Sequence, residues 1–155
     1  MIDQTLRQLM RHGLTATPVV LDRLLGGAKP DWDRRPDPER FTLREVLAHL
    51  ADLEAVWRQR VEAIVREPGC AIQGQDPGEV AKRNDYAAQD PRANLTRFSE
   101  GRAALVATLD GLDEADWAKA GKHSYLGPIT VDQIAQFMVG HDAYHVRQIS
   151  EWLGA

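Results

Sequence analysis

The sequence predicts an all-α protein built as a four-helix bundle, and three observations favour that class. Apolar residues recur at helical spacing in four long segments of the 155-residue chain. No strong alternation of apolar and polar residues, the pattern typical of strands, appears between them. One long connection, residues 68–91, argues against a simple up-down-up-down arrangement. Because this length suits one domain, we assign residues 1–155 to a single bundle.

The first two predicted helices have recognisable boundaries. The first runs from about Ile2 to Leu25 and is interrupted at Thr17-Pro18. Either Pro18 kinks one long helix, or Thr17 caps a second short one. The second helix is predicted to begin near Thr42, because Glu45 three residues later completes a capping-box pattern.

The remaining helices follow the long connection. The third is predicted from about Pro91 to Leu109 and the fourth from about Thr130 to Trp152. Residues 80–88 are compatible with a helix, residues 112–117 with a short turn, and the Gly-rich residues 121–128 with a loop. The apolar stripe of the fourth helix is predicted to comprise Ile134, Phe137, Met138, His141, His145, Ile149 and Trp152. The opposite face is expected to be polar and to carry Asp132, Gln136, Arg147 and Ser150.

Composition and charge exclude several classes of protein. The net charge is −4, and no basic stripe of the kind that binds nucleic acid is visible. No apolar run is long enough for a membrane span, and the segment Met1–Gln4 lacks a signal-peptide pattern. We therefore expect a cytoplasmic protein with neither a nucleic acid nor a membrane as partner. The single cysteine, Cys70, cannot form an internal disulfide and is interpreted as an incidental loop thiol.

Three histidines form the strongest candidate site. His141 and His145 are four residues apart within the apolar stripe of the fourth helix, so both imidazoles share one helical face, as two ligands of one metal ion would. His49 lies on the apolar face of the second helix and supplies a third inward imidazole. Three protein ligands leave one position open, which is typical of a catalytic metal site. The alternative is three hydrogen-bonded core histidines that bind no metal.

Two further residues are candidate catalytic groups, and one acidic residue is assigned elsewhere. Asp52 is three residues after His49, where it would orient a ligand histidine or act on water activated by the metal; a solvated surface carboxylate is the alternative. Tyr125, before the fourth helix, is a conceivable proton or orientation partner. Asp142 is turned by about 100° from His141 and is expected on the helix surface. Because Asp142 stands where an HExxH motif has Glu, the sequence disfavours a zincin-type protease.

Three segments of the chain resemble the DinB/YfiT-like superfamily. They are Phe41–Asp52, Trp117 with residues 123–130, and Gly140–Ile149. The resemblance implies an up-down-down-up four-helix bundle with one long crossover connection, and a metal held by His49, His141 and His145. It also implies a homodimer. Phe137 stands where some relatives carry a further histidine, which excludes a fourth histidine ligand at that position.

The sequence thus predicts a metal-dependent enzyme that acts on a small molecule through metal-activated water or thiol. The resemblance implies either a hydrolase or an S-transferase that uses a low-molecular-weight thiol as cosubstrate. Zn²⁺ or Ni²⁺ is the expected metal, although imidazole also suits Cu²⁺ and Fe²⁺. The alternative is a non-catalytic, stress-related or small-ligand-binding bundle whose metal is structural or adventitious.

Overall fold

Helices make up most of the fold in the computed structural model, which describes residues 4–154. They are α1 (Gln4–Leu25), α2 (Leu43–Arg66), α3 (Pro77–Arg83), α4 (Pro91–Asp110) and α5 (Val131–Leu153). The four long helices, α1, α2, α4 and α5, form a bundle and match the four predicted segments. α3 is a short helix within the long connection, and 3-10 turns follow at Tyr86–Ala88 and Asp116–Ala118. The predicted helix start at Ile2 and the polar residues from Met1 to Asp3 lie outside the described residues.

Helix starts and breaks follow the local sequence closely. α1 continues through Pro18 as one helix, so Thr17 does not cap a second one. At the start of α2, the Glu45 N–H donates to Thr42 Oγ1 at 3.2 Å, and the Thr42 N–H donates to Glu45 Oε2 at 2.8 Å. Thr130 and Gln133 make the same capping box at the start of α5. These reciprocal hydrogen bonds define where α2 and α5, the two helices that carry the candidate histidines, begin.

A small three-stranded sheet beside the bundle was not predicted. Its strands are β1 (Ala71–Ile72), β2 (Ala120–His123) and β3 (Gly127–Thr130), in the order β1-β2-β3. β1 pairs with β2 in parallel, and β2 pairs with β3 antiparallel. The predicted loop at residues 121–128 is therefore mostly a hairpin. Strands of two to four residues are too short for alternating hydrophobicity to be visible in the sequence.

The bundle core consists of two apolar clusters with a polar layer between them. α1 and α2 each pack against α4 and α5. One cluster surrounds Val61, Leu105 and Ile134, and the other surrounds Leu47 and Phe98. Between the two clusters lies the polar layer, which we define as the buried residues Thr17, His49, Glu54, Arg102, Asp142, His145 and Gln148.

An ion-pair network in the polar layer joins all four long helices. Arg102 of α4 donates two hydrogen bonds to Glu54 of α2 and two to Asp142 of α5, at 2.6–2.9 Å. Arg102 also donates to the Leu14 carbonyl of α1, and the Thr17 hydroxyl donates to Asp142. Burial raises the pKa of Glu54, and the hydrogen bonds from Arg102 oppose that shift.

Two acidic residues of α5 correct the sequence analysis. Asp142 is 4% exposed, so its assignment to the helix surface is wrong. Asp132, expected on a polar outer face, is also buried and accepts a hydrogen bond from Arg7 Nε at 3.1 Å. Both errors have one cause: the guanidinium that neutralises each carboxylate comes from a different helix. Across residues 4–154, no helix has the length and apolar character needed to cross a membrane.

Candidate metal centre

Three histidines from two helices converge at the polar layer: His49 and His145 belong to it, and the half-buried His141 lies beside them. The Nε2 atom of His141 lies 3.1 Å from Nε2 of His49 and 3.2 Å from Nε2 of His145. All three ligand atoms lie within 4.8 Å of one another. The spacing of four residues aligns the two α5 rings, and the packing of α2 against α5 brings His49 to them. The structure thus places together the three histidines singled out in the sequence, and their role as ligands stays a prediction.

The donor set fits a divalent metal ion. Tetrahedral Zn²⁺ holds imidazole nitrogen atoms at about 2.0–2.1 Å, which places neighbouring nitrogens about 3.3 Å apart. The Nε2–Nε2 distances of 3.1 and 3.2 Å are close to that spacing. Burial, reinforced by the neighbouring histidines, lowers the pKa of His49 to about 3 and that of His145 to about 4. The rings are therefore neutral near pH 7, the protonation state that ligates metals.

Gln148 orients His145, and the sequence analysis did not identify it. Its amide nitrogen donates to the Phe41 carbonyl at 3.2 Å, so its Oε1 faces His145 Nδ1 at 2.9 Å. His145 Nδ1 must then carry the proton, which leaves a lone pair on Nε2 directed at the other two histidines. A fixed tautomer of this kind raises metal affinity because the ring needs no rearrangement on binding.

We expect the Gln148→Leu variant to bind Zn²⁺ about 10–100-fold more weakly than the parent, because His145 loses its orienting acceptor. Competition against a chromophoric chelator measures the affinity. Trp152→Phe is the matched control: Trp152 Nε1 donates to the same Phe41 carbonyl, and among the hydrogen bonds and ring contacts of residues 4–154 none joins Trp152 to His145. Equal losses in the two variants would assign Gln148 a purely structural role.

We expect the metal-free protein to lose stability as the pH falls from about 6.5, the ordinary histidine pKa. Below that pH the unfolded chain binds protons on these histidines. In the folded chain the buried rings of His49 and His145 stay unprotonated until the pH reaches about 3 and about 4, respectively. Each ring lowers the free energy of unfolding by up to about 1.4 kcal/mol per pH unit in that window. Urea unfolding with chelator at pH 7, 6 and 5 measures the slope, which His49→Leu should flatten. His12→Leu, which replaces an exposed histidine, should keep the slope of the parent. An unchanged slope in His49→Leu would contradict this expectation.

A cavity of about 370 Å³ leads to the three histidines. The rest of its lining comes from the segment before α2, from the start of α3 and from α5: Glu39, Arg40, Phe41, Pro77, Gly78, Tyr144 and Gln148. A second cavity of about 200 Å³ is also lined by His49. A metal held by the three histidines would therefore be reachable by a small molecule.

Asp52 lies in the second cavity, beside His49. It accepts hydrogen bonds from Arg97 Nη2 at 2.6 Å and from Asn84 Nδ2 at 2.8 Å. Burial alone would raise the pKa of Asp52, but hydrogen bonds from Arg97, Asn84 and Tyr86 lower it overall, so the carboxylate is ionised. Within the described part of the chain, no hydrogen bond joins Asp52 to a histidine. Both roles suggested for Asp52, orienting a ligand histidine and acting on a reactant, stay predictions.

Tyr125 lies away from this cluster, at the tip of the hairpin between β2 and β3. Its side chain is 70% exposed, and its ring centroid lies 5.9 Å from that of His123. Among residues 4–154, none of the observed ring contacts or hydrogen bonds joins Tyr125 to His49, His141 or His145. A catalytic role for Tyr125 stays a prediction that this geometry does not favour.

These features define a class of protein, a helical bundle whose histidine cluster faces a cavity. Residues 5–149 match the DinB superfamily, and the chain belongs to that family. The chain is 24% identical over 142 residues to the uncharacterized protein YuaE of Bacillus subtilis (strain 168), covering 84% of this chain and 88% of YuaE.

A solved structure shows the same fold. YfiT from Bacillus subtilis is described as a probable metal-dependent hydrolase with an unusual four-helix bundle topology. It superposes with a TM-score of 0.90 at 22% sequence identity, over 98% of this chain and 88% of YfiT. The likeness shows a shared four-helix bundle.

Proposed function

We propose that this protein is a metal-dependent hydrolase of small molecules whose divalent cation is held by His49, His141 and His145. The observation that carries the proposal is the convergence of three neutral imidazoles at a cavity: His141 Nε2 lies 3.1 Å from His49 Nε2 and 3.2 Å from His145 Nε2, and all three ligand atoms lie within 4.8 Å of one another. The description of YfiT as a probable metal-dependent hydrolase supports the same reaction class. Zn²⁺ or Ni²⁺ is the metal we propose, since both bind imidazole well.

The bound metal, the aromatic walls of the cavity and Asp52 would have separate roles in the reaction. A bound divalent cation supplies Lewis-acid chemistry, lowering the pKa of the water or thiol that fills its open position. Phe41 and Tyr144 give the cavity aromatic walls against which an apolar part of a substrate packs. Asp52, ionised in the adjoining cavity, would accept a proton from a reactant that enters beside His49.

Thiol-dependent transfer is the second candidate, and one observation favours it. Two cavities meet at His49, of about 370 and 200 Å³, so the site has room for a cosubstrate beside the electrophile. A low-molecular-weight thiol in one cavity would lose its proton to water and attack an electrophilic carbon of a substrate held in the other, forming a C–S bond as the bond to the leaving group breaks and that group departs with the electron pair. A hydrolase needs only one of the two cavities for its organic substrate.

Turnover measurements with and without thiol separate these functions. Zn²⁺-loaded protein without an affinity tag would be incubated with a panel of aryl esters and lactones, in the presence and absence of free cysteine as the thiol. The proposal predicts metal-dependent hydrolysis without thiol that disappears in His141→Ala and persists in His12→Ala. Turnover only with thiol would support transfer, and metal binding without turnover would support a non-catalytic bundle.

Three further expectations from the sequence stay proposals. Contacts between helix ends support the up-down-down-up order: Arg7 binds Asp132 near the starts of α1 and α5, and Trp152 at the end of α5 binds Phe41 before α2. A homodimer is supported by exposed apolar side chains on α1, including Leu9. Sedimentation at micromolar concentration tests it, and a lone monomer would contradict it. The cytoplasmic location is a prediction from the sequence.

A further inference from the structure

The cavity that leads to the three histidines contains a guanidinium held in place beside them. We propose that Arg40 forms an anion subsite, so that the substrate carries a carboxylate in addition to the group that reacts at the histidine cluster. This inference rests on the proposed function and adds the substrate class to it. Nothing in the family match or in the description of YfiT specifies such a group.

Arg40 is fixed before any ligand arrives. Its Nη1 donates to Glu151 Oε2 at 3.0 Å, and its Nε donates to Tyr144 Oη at 3.2 Å. Its Cζ atom lies 4.6 Å from the centre of the Trp152 ring and 5.2 Å from that of Tyr144. Because these contacts already restrict the Arg40 side chain, little conformational entropy would be lost when an anion binds to its guanidinium group.

The positive charge of Arg40 is only partly neutralised. Glu151 accepts a hydrogen bond from Arg147 Nε at 2.8 Å as well as from Arg40, so two guanidinium groups share one carboxylate. In the described part of the chain, the hydrogen bonds of Arg40 use Nε and Nη1 and leave Nη2 for a ligand. The side chain is 23% exposed, which gives an anion access to it.

The subsite and the histidines share one cavity. Arg40 precedes Phe41, whose ring centroid lies 5.3 Å from that of His49, and Tyr144 lies 4.9 Å from His145 by the same measure. A ligand in this cavity of about 370 Å³ can therefore contact both Arg40 and the histidines. Glu39 is the other charged residue of the lining; it is exposed, so water screens its repulsion of an anion.

A binding experiment with matched ligands tests the subsite without relying on catalysis. Tag-free protein would be loaded with Co²⁺, and its visible spectrum titrated with succinate, glutarate and adipate, each compared with its monomethyl ester. We expect at least one dicarboxylate to bind about tenfold more tightly than its ester, the size typical of a charge-assisted hydrogen bond. Arg40→Gln should abolish that preference, and Arg40→Lys should retain part of it.

Arg147→Gln is the matched control. Arg147 binds the same Glu151 carboxylate, but its side chain is 82% exposed and does not line the cavity. Its removal should leave the preference in place, reduced only as far as Glu151 then neutralises Arg40 more fully. If no dicarboxylate is preferred in the parent, or if Arg40→Gln keeps the preference, the subsite is wrong while the metal site stands. If Co²⁺ does not bind, the proposed function fails and the subsite fails with it. Thermal melts of each variant show that it is folded.

Discussion

Replacing Arg102 with Met is expected to lower the free energy of unfolding by about 3–5 kcal/mol, the cost typical of removing one partner from a buried ion pair. Arg102 is 2% exposed and is the only cation in the described polar layer, where it binds both Glu54 and Asp142. Removing it leaves two buried carboxylates without a counter-charge. Urea unfolding of parent and variant at pH 7 measures the change.

Two comparisons show whether the effect comes from the uncompensated charges. The triple variant Arg102→Met, Glu54→Met, Asp142→Leu should recover much of the loss, because apolar residues of similar volume often replace a buried ion pair at little cost. Arg11→Met, which breaks the exposed pair with Asp110, should change stability far less. A change in Arg102→Met as small as that in Arg11→Met would contradict the account of the polar layer.

The second large effect is expected from His49→Ala, which should lose most of the rise in melting temperature that metal gives the parent. Metal that binds only the folded state stabilises it by about 4 kcal/mol at a thousand times its dissociation constant. His49 is the one proposed ligand outside α5, so only through His49 does the metal join α2 to α5. The two imidazoles that remain lie on one helix and cannot connect two helices.

Thermal melts with chelator and with added Zn²⁺ measure the increment in each protein. His12→Ala, on an exposed face of α1, is the control and should keep the full increment. In chelator, His49→Ala should lose little stability, because a buried polar group is removed. The reverse pattern, a destabilised metal-free variant with an unchanged metal increment, would make His49 an ordinary hydrogen-bonded core histidine.

Much of the helical framework could be predicted from the sequence because its signals are local. The capping boxes at Thr42 and Thr130 require residues only three positions apart, and apolar periodicity repeats within each helix. The meeting of His49 with His141 and His145 could also be predicted, because both helices turn those positions towards one core. Gln148 could also have been predicted as a hydrogen-bond partner of His145, since it is three residues later on the same helical face.

The remainder depends on partners that are distant in the sequence. Asp142 and Asp132 look like surface charges on a helical wheel because Arg102 and Arg7 are 40 and 125 residues away. The anion subsite could not be predicted from the sequence for the same reason, since Arg40 lies before α2 and contacts α5 only in the folded chain. The sheet escaped prediction because strands of two to four residues give no periodic pattern.

The metal content of the protein, purified without an affinity tag and dialysed against Zn²⁺ or Ni²⁺, tests the central claim most directly. Three convergent imidazoles predict about one tightly bound ion per chain. The double variant His141→Ala, His145→Ala should remain helical and retain less than about a tenth of an equivalent, because a single imidazole does not hold the ion. A parent that takes up less than about a tenth of an equivalent, or a double variant that binds as much as the parent, would contradict the assignment of a metal to these histidines.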